Sequence, residues 1–341
     1  MPGLAVCTID SGKIKWSGYY GFQNIEKNIP VSSRTLFHIS SVSKTITASA
    51  VSQLIAQGKL HLDDNINLYL PFKVQNPNFP GVPVTVGELL RHRSSLIDDV
   101  DYLQPIWDTS KGDPKIPLAV FLKDYLSPGG AHYNKEKNFL TDKPNTLREY
   151  SNVGFALLGY LVECATREPY DQYCRKNIFE PLSMNQTAWF LKDLDSNIVA
   201  MPYHYSDSMH QFIPYGHGGY PDYPAGELRT SAEQLAHFLI AWSSDGKWQN
   251  RQVFDSSTIQ LFTPDDIRLG CYAWNIFAAP KGLQVMYGHT GGDNGVFTIM
   301  EYQPVIKKGF ICLFNGDFNG NSENGKNMFD LVSMIYESLN K

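Results

Sequence analysis

Three serines in the 341-residue sequence are each followed three positions later by a lysine, a spacing that can turn a serine hydroxyl into a nucleophile. Ser244 lies in a polar, turn-like segment, and Ser338 pairs with the final residue. Only Ser41 begins a long apolar segment with helical spacing, which predicts a helix ending at Gly58. Lys44 then lies on the same helical face, near enough to share a hydrogen bond with the Ser41 hydroxyl. Ser41 is therefore the candidate nucleophile and Lys44 its candidate partner in proton transfer.

The start of a helix adds electrostatic stabilisation, because its first N–H groups are unpaired and its dipole is positive at that end. An oxyanion can be held there. A partly buried lysine can lose its proton near neutral pH or lower the pKa of a neighbouring group. A serine and a lysine at this spacing also occur in ordinary helix caps, so other segments have to supply the rest of a site.

Two more segments carry polar groups suited to acyl chemistry. Tyr150 and Asn152 lie where a loop runs into a predicted helix. A tyrosine can act as a general base and an asparagine amide can bind a substrate carbonyl; the alternative is a turn tyrosine with a capping asparagine. His289 ends a strand-like run, and the small residues after it allow a substrate to lie against the strand backbone. The alternative is a structural histidine.

The chain thus combines three motifs: Ser41-x-x-Lys44, Tyr150-x-Asn152 and His289-Thr290-Gly291. Together they resemble those of the serine β-lactamase and D-alanyl-D-alanine peptidase superfamily. The form of the middle motif is similar to that of the branch with class C β-lactamases, alkaline DD-peptidases and family VIII esterases. The resemblance extends nearly end to end, through segments at 2–6, 58–71, 84–96, 179–187 and 224–232.

The resemblance implies a role for each motif residue. Ser41 would be the nucleophile, with Lys44 and Tyr150 sharing the role of general base. The backbone N–H groups of Ser41 and Gly292 would form the oxyanion hole, a feature worth about 3 to 4 kcal/mol. The implied substrate-binding residues are Asn152, His289, Thr290 and Gly291.

Three positions depart from the pattern of the class C β-lactamases or bear on it. His289 replaces a lysine, and a histidine with an ordinary pKa of about 6.5 carries little charge at neutral pH unless a neighbour stabilises its protonated form. Binding of a substrate carboxylate is then less expected, and the histidine form resembles DD-peptidases and many esterases. Ser95 stands where relatives have glycine, which is expected to alter a turn below the site. Arg229 is either a substitute cation near the pocket or a solvent-facing arginine.

The elements that must position these residues are predicted from periodicity. Apolar runs at 4–9 and 14–20, joined by a turn-forming segment, predict a β-hairpin. Helical segments and long loops follow to about residue 200, and further strand-like runs appear at 271–277, 285–289, 296–302 and 309–314. A capping box at Thr230-Ser231-Ala232-Glu233 predicts the start of another helix, and a final amphipathic helix is predicted at 328–339.

These elements, with the resemblance, predict an α+β fold of the β-lactamase/transpeptidase type. Its antiparallel sheet would be built from both chain ends, flanked by helices, with an inserted and mainly helical region. The expected boundaries are 1–62 and 205–341 for the sheet region and 63–204 for the helical region. The active site is expected in the cleft between them.

Composition excludes several other classes. The 29 basic and 34 acidic residues give a net charge of -5 with no long basic run, which argues against a nucleic-acid partner. No apolar stretch approaches the roughly 18 to 20 residues of a membrane span. Five cysteines without a close pair argue against a zinc site or a disulfide framework. No metal and no cofactor is expected, and the expected partner is a small-molecule or peptide substrate.

The leading functional expectation is a β-lactamase-like serine hydrolase that forms an acyl-enzyme on amide, lactam or ester substrates. The alternatives are a carboxylesterase of the family VIII type and a catalytically reduced, structural or self-assembling relative. The Gly-x-Ser-x-Gly motif of α/β-hydrolases is absent, which disfavours that fold. The sequence assigns no oligomeric state or compartment; its first residues predict a strand rather than a signal peptide, and relatives are often periplasmic or secreted.

Overall fold

The computed structural model describes residues 1–107, 112–263, 271–277, 285–317 and 323–339. The strands in these ranges are β1 (Gly3–Asp10), β2 (Lys13–Asn24), β3 (Ile29–Pro30), β4 (Phe37–His38), β5 (Tyr203–Ser206), β6 (Gln211–Pro214), β7 (Arg229–Thr230), β8 (Lys247–Trp248), β9 (Arg251–Gln252), β10 (Asn275–Phe277), β11 (Met286–Asp293), β12 (Val296–Gln303) and β13 (Lys308–Phe314). The α-helices are α1 (Ser43–Ala56), α2 (Val86–Leu90), α3 (Val100–Trp107), α4 (Leu118–Leu126), α5 (Asn152–Thr166), α6 (Tyr170–Cys174), α7 (Ala232–Ser243), α8 (Ser256–Phe262) and α9 (Glu323–Leu339).

The main sheet has seven antiparallel strands in the order β10-β11-β12-β13-β1-β2-β3. Strands β1 and β2 form the predicted hairpin, whose turn residues Ser11 and Gly12 have φ values of 51° and 75°. Positive φ at both central residues suits the tight turn that matches strand twist. On its other edge β1 pairs with β13, in a register that sets Val6 opposite Cys312. The predicted antiparallel sheet from both chain ends is confirmed.

The sheet is covered on both faces, so its central strands are apolar on both sides. Along β1, Ala5 and Cys7 belong to the large core, while Leu4 and Val6 belong to a smaller apolar cluster. Successive side chains of a strand point to opposite faces, which accounts for this division. Helix α7 packs against β1, β2, β12 and β13, and α9 packs against β13. Ile335 of α9 lies in the smaller cluster.

Helix α1 is an interior helix that packs against α5 and α8. Eleven of its 14 residues are buried, since the helix carries small or apolar side chains on every face. It is followed by Gly58 at φ 66°, which confirms the predicted stop. Its start differs from the prediction, because Ser41 lies in a 3-10 turn at Ser40–Val42 and the α-helix begins at Ser43.

The start of α7 and the strand-like run at 271–277 also differ from expectation. The cap of α7 is Ser231, whose side chain accepts from the Gln234 N–H, because Thr230 still belongs to β7. Within the 271–277 run, the strand is limited to β10, at Asn275–Phe277. The residues just before it pair elsewhere, with the Ala273 N–H donating to the Leu90 carbonyl at 2.9 Å.

Ser95, which stands where a glycine was expected in a turn below the site, has a backbone conformation typical of glycine. Ser95 is buried with φ 62°, in the left-handed region. A non-glycine residue there costs roughly 1 to 2 kcal/mol. The Asn76 amide donates to the Ser95 hydroxyl at 2.9 Å, so the side chain gains a partner that glycine would lack.

Candidate active site

Ser41 lies in a strained turn that two hydrogen bonds attach to the sheet. Ser40, directly before it, has φ 46°, and such a conformation costs about 1 to 3 kcal/mol. The Ser40 hydroxyl donates to the Gly292 carbonyl, and the Thr298 hydroxyl donates to the Ile39 carbonyl, both at 2.8 Å. These bonds join the turn to β11 and β12, so the Ser41 position is set by the sheet as well as by α1.

The backbone of β11 approaches this turn closely. A Cβ atom at Gly291 would lie 2.5 Å from the Ile39 carbonyl oxygen and 3.0 Å from the Ser41 nitrogen, so this position requires glycine. At Gly292 a Cβ would meet no atom within 4 Å. Ser41 and Gly292 line the same cavity, which brings together the two residues predicted to form the oxyanion hole.

The Lys44 amine is buried and makes three hydrogen bonds. Its Nζ lies 3.1 Å from the Ser41 hydroxyl, 2.6 Å from Asn152 Oδ1 and 2.6 Å from the Ala225 carbonyl oxygen. The two amide oxygens can only accept, so they take two amine hydrogens. In the neutral amine, the lone pair is then left for the Ser41 hydroxyl proton. The arrangement can therefore transfer a proton from serine to lysine.

Asn152 is held at the first turn of α5 by a residue that sequence reasoning missed. The buried Asp98 carboxylate accepts from the Asn152 N–H at 2.7 Å, the Val153 N–H at 3.2 Å and the Ser151 hydroxyl at 2.8 Å. Burial raises the pKa of Asp98, and these bonds together with the Lys44 charge oppose that rise. An anion at a helix N-terminus is stabilised by its free N–H groups. Asp98 thereby fixes the side of the site that carries Asn152.

Tyr150 lies beside Lys44 with its ring partly open to solvent. The Lys44 Nζ is 4.9 Å from the ring centre, and the whole Tyr150 residue is 37% exposed. His92 stacks against it with ring centroids 4.4 Å apart. The His92 Nδ1 accepts from the Ser151 N–H at 3.1 Å, and burial, then the Lys44 charge, lowers the His92 pKa well below its ordinary value. A neutral imidazole thus supports the tyrosine.

His289 is buried in β11 and uncharged at neutral pH. Burial, followed by the nearby Lys44 charge, lowers its pKa to about 3. Its Nδ1 lies 2.6 Å from the Thr290 carbonyl oxygen. A carbonyl cannot donate, so Nδ1 carries the proton and Nε2 is left as an acceptor. The neighbours of His289 therefore disfavour the cation that would pair with a substrate carboxylate.

We expect nitrogen-15 NMR to find the His289 imidazole neutral, with its proton on Nδ1, from about pH 8 down to about pH 4. The reason is that protonation of a group with a pKa of about 3 becomes appreciable only below that range. A His289→Gln variant would identify the resonance by its loss. A His289 signal that titrates near pH 6.5, or that shows the proton on Nε2, would contradict this assignment.

Arg229 is buried beside the pocket, so the solvent-facing alternative was wrong. It is 2% exposed, and its guanidinium pairs with the buried Glu227 carboxylate at 3.1 Å. It also donates to the carbonyls of Gly218 and Trp189. The arginine is therefore a buried, compensated cation rather than a solvent-facing one. It lines a neighbouring cavity, which shares Trp107, Tyr220 and Asp293 with the one at Ser41, and it is not part of the lining of the latter.

The cavity at Ser41 has a volume of about 110 Å³. Its lining residues are Ser40, Ser41, Trp107, Asn152, Tyr220, Asp222, Gly226, Gly292 and Asp293. His289 and Thr290 lie on β11 outside this lining. Sequence reasoning missed Trp107, Tyr220 and Asp222, because Trp107 lies more than 100 positions from the other two and none of the three belongs to a recognised motif.

The described residues contain no group of three or more His, Cys, Asp or Glu side chains that could hold a metal ion. Among the helices of the same residues, none combines the length and apolar character that crossing a membrane demands.

A family model described as Beta-lactamase matches residues 1–333. Protein flp of Staphylococcus aureus (strain MW2) is 24% identical over 239 residues, which cover 70% of this chain and 45% of that protein. Penicillin-binding protein 4* of Bacillus subtilis (strain 168) is 26% identical over 327 residues, with 91% of this chain and 67% of that protein covered. The chain thus spans less than half the length of the first of these relatives.

Solved structures of several other proteins share the fold. An octameric penicillin-binding protein homologue from Pyrococcus abyssi superposes with a TM-score of 0.78 at 24% identity, covering 98% of this chain and 73% of that one. The D-amino acid amidase from Ochrobactrum anthropi SV3, complexed with L-phenylalanine amide, also has a TM-score of 0.78, at 18% identity. It covers 99% of this chain and 93% of the amidase chain.

Proposed function

The chain belongs to the Beta-lactamase family, and on that basis we propose that it is a serine acyl hydrolase that cleaves small amides or peptides through an acyl-enzyme on Ser41. The observation that carries this proposal is the contact of the Lys44 amine with the Ser41 hydroxyl, with its other two hydrogen bonds to amide oxygens. That arrangement suits an amine that accepts the serine proton as the hydroxyl attacks a carbonyl.

In the proposed acylation, the Ser41 oxygen bonds to the substrate carbonyl carbon while its proton passes to Lys44. The resulting oxyanion accepts hydrogen bonds from the backbone N–H groups of Ser41 and Gly292. The proton then reaches the leaving nitrogen or oxygen by way of Tyr150, and the bond to the leaving group breaks. Since Asn152 Oδ1 is bonded to Lys44, its Nδ2 amide can donate to the acyl group.

Deacylation repeats the same proton transfers with water as the nucleophile. Water loses its proton to the Lys44 and Tyr150 pair, attacks the ester carbonyl and releases the acid, and Ser41 recovers its proton. No cofactor is needed for either half of this cycle, because every proton that leaves one group is taken up by another.

A carboxylesterase is the second candidate, favoured by the neutral state of His289. A β-lactam presents a carboxylate, and the buried, low-pKa imidazole does not offer it a cation. Esters and uncharged amides have no such requirement. The same observation therefore ranks β-lactam hydrolysis below both amide and ester hydrolysis.

We expect purified protein to cleave p-nitrophenyl butyrate with a kcat/KM at least about tenfold above that for nitrocefin, whereas a D-Ala-D-Ala peptide, which also carries a carboxylate, should share the disadvantage of nitrocefin. The factor corresponds to one missing charge interaction of about 1.4 kcal/mol in the transition state. The three substrates are to be compared at neutral pH with one enzyme preparation. Nitrocefin as the best substrate would reject this ranking and identify a β-lactamase.

A further inference from the structure

Asp222 is a buried carboxylate that the proposed acyl transfer does not use. It is 1% exposed, and both of its oxygens accept from the Trp107 indole N–H, at 3.0 and 3.1 Å. Within the described residues it takes part in no ion pair. A buried carboxylate that has only a neutral donor is costly to keep ionised. Burial, and then the charge of Asp98, raises the pKa of Asp222 to about 7.

The position of Asp222 relates it directly to the nucleophile. Asp222 and Trp107 line the cavity that also contains Ser41, Asn152 and Gly292. The chain continues from Asp222 into a 3-10 turn at Tyr223–Ala225, and the Ala225 carbonyl is the one that accepts from Lys44. The lining includes Asn152, which the proposed mechanism assigns to the acyl group, and does not include Tyr150, which passes the proton to the leaving group. The cavity that holds Asp222 is therefore on the acyl side of the scissile bond.

The remaining cavity wall suits a cation. The aromatic residues Trp107 and Tyr220 line it, and Asp293 adds a second carboxyl-bearing residue. Aromatic faces attract cations, by about 0.5 to 2 kcal/mol according to desolvation. The hydrogen bonds of Lys44 are with Ser41, Asn152 and Ala225, so Lys44 acts on Asp222 only through its charge, which opposes the rise of the Asp222 pKa. A negatively charged acyl substituent would be repelled here.

The size of the cavity limits what the acyl group can be. A cavity volume of about 110 Å³ is below the roughly 300 to 1,000 Å³ typical of small-molecule sites. The space is also divided between the reacting carbonyl and its substituent. A short amino-acyl group fits these dimensions better than a long acyl chain.

We infer that this cavity is an acyl-side subsite for substrates with a free, protonated amino group next to the scissile carbonyl, and that Asp222 selects them. The inference rests on the proposed function of Ser41. The substrate class is then aminoacyl amides, esters or short peptides with an unblocked amino terminus. Asp222 acts as a specificity residue that pairs with the ammonium group, while the bond cleavage stays with Ser41 and Lys44.

The test compares two p-nitroanilides of nearly equal shape at about pH 7, where an α-amino group is largely protonated. Alanine p-nitroanilide, as each enantiomer, carries the ammonium group, and isobutyryl p-nitroanilide has a methyl group in its place. Wild-type protein should favour one alanine enantiomer by at least about tenfold in kcat/KM. Asp222→Asn should lose about 30-fold or more on that substrate, and change less than about threefold on the isobutyryl compound. The exposed Asp142→Asn is the control and should behave as wild type.

Two outcomes would overturn the inference: equal kcat/KM for the alanine and isobutyryl compounds, or an amine preference that survives in Asp222→Asn. Should Asp222→Asn fail to fold, as judged by its Tm, a Trp107→Leu variant replaces it, because losing the indole removes both the aromatic wall and the donor to Asp222. An unchanged amine preference in that variant would equally reject the subsite.

A binding measurement separates this inference from the proposed function. Fluorophosphonate labelling of Ser41 and turnover of the isobutyryl compound report on the acyl chemistry alone. If both are absent, the proposed function fails, and calorimetry on Ser41→Ala protein then decides the subsite. Tighter binding of alaninamide than of isobutyramide, lost when Asp222→Asn is added, supports the subsite. Equal binding of the two amides rejects it.

Discussion

Replacing Ser41 with alanine is expected to lower turnover of every substrate by about 10⁴-fold or more and to abolish labelling by a fluorophosphonate probe. The hydroxyl is the atom that bonds to the acyl group in the proposed mechanism, and no other described group of the cavity lining occupies its position beside Lys44. The measurements are steady-state kinetics on the best substrate and gel fluorescence after labelling. The fold should be unaffected, because only one oxygen atom is removed.

The chain supplies its own control for this experiment. Ser244 is also followed three residues later by a lysine, Lys247, yet it lies at the end of α7 rather than in the cavity. Ser244→Ala should therefore label and turn over like the wild type. Labelling that persists in Ser41→Ala, or that disappears in Ser244→Ala, would remove Ser41 from the role of nucleophile.

Replacing Lys44 with methionine is expected to slow acylation by about 10² to 10⁴-fold, the range typical of losing a general base. Methionine fills the buried space but cannot take the Ser41 proton. It also leaves Asn152 Oδ1 and the Ala225 carbonyl without their buried donor, so the Tm should fall as well. Single-turnover acylation measures the chemical step, and thermal denaturation measures the loss of stability. Lys247→Met is the matched control.

Tyr150, which shares this proton transfer, can be tested in the same experiment. Tyr150→Phe removes one hydroxyl from a partly exposed ring, so it should slow acylation in the same range with little change in Tm. In the double variant with Lys44→Met, the loss should be much smaller than the product of the two single losses, because groups that act as a unit are not additive. Near-normal acylation in both single variants would refute the assignment of the base.

Much of the local structure could be predicted because it depends on neighbours in sequence. The turn after β1 needs residues that accept positive φ, and Ser11-Gly12 provides them. Helix α1 stops where Gly58 follows it. The predicted starts of α1 and α7 were less accurate. Whether Ser41 and Thr230 are helical depends on hydrogen bonds to distant strands, which local spacing does not contain.

Other parts of the site could not be predicted because they join distant segments. Asp98 bonds to the start of α5 across more than 50 positions, and Trp107 bonds to Asp222 across 115. Single aspartates and tryptophans occur throughout ordinary sequences and carry no spacing signal. The packing of α1 on α5, and of both helices on the turn at Tyr223–Ala225, brings such residues near Ser41.

Residue types and spacing, together with the family resemblance that the three motifs carry, identified the nucleophile candidate and its amine and phenol partners. Periodic patterns predicted the sheet assembled from both ends of the chain. The charge states in the cleft came from folding. His289 is neutral and Asp222 is a buried carboxylate because surrounding atoms exclude water from both. Water is excluded where segments distant in sequence pack together. The selectivity of the cleft for charged or uncharged substrates therefore depends on tertiary packing.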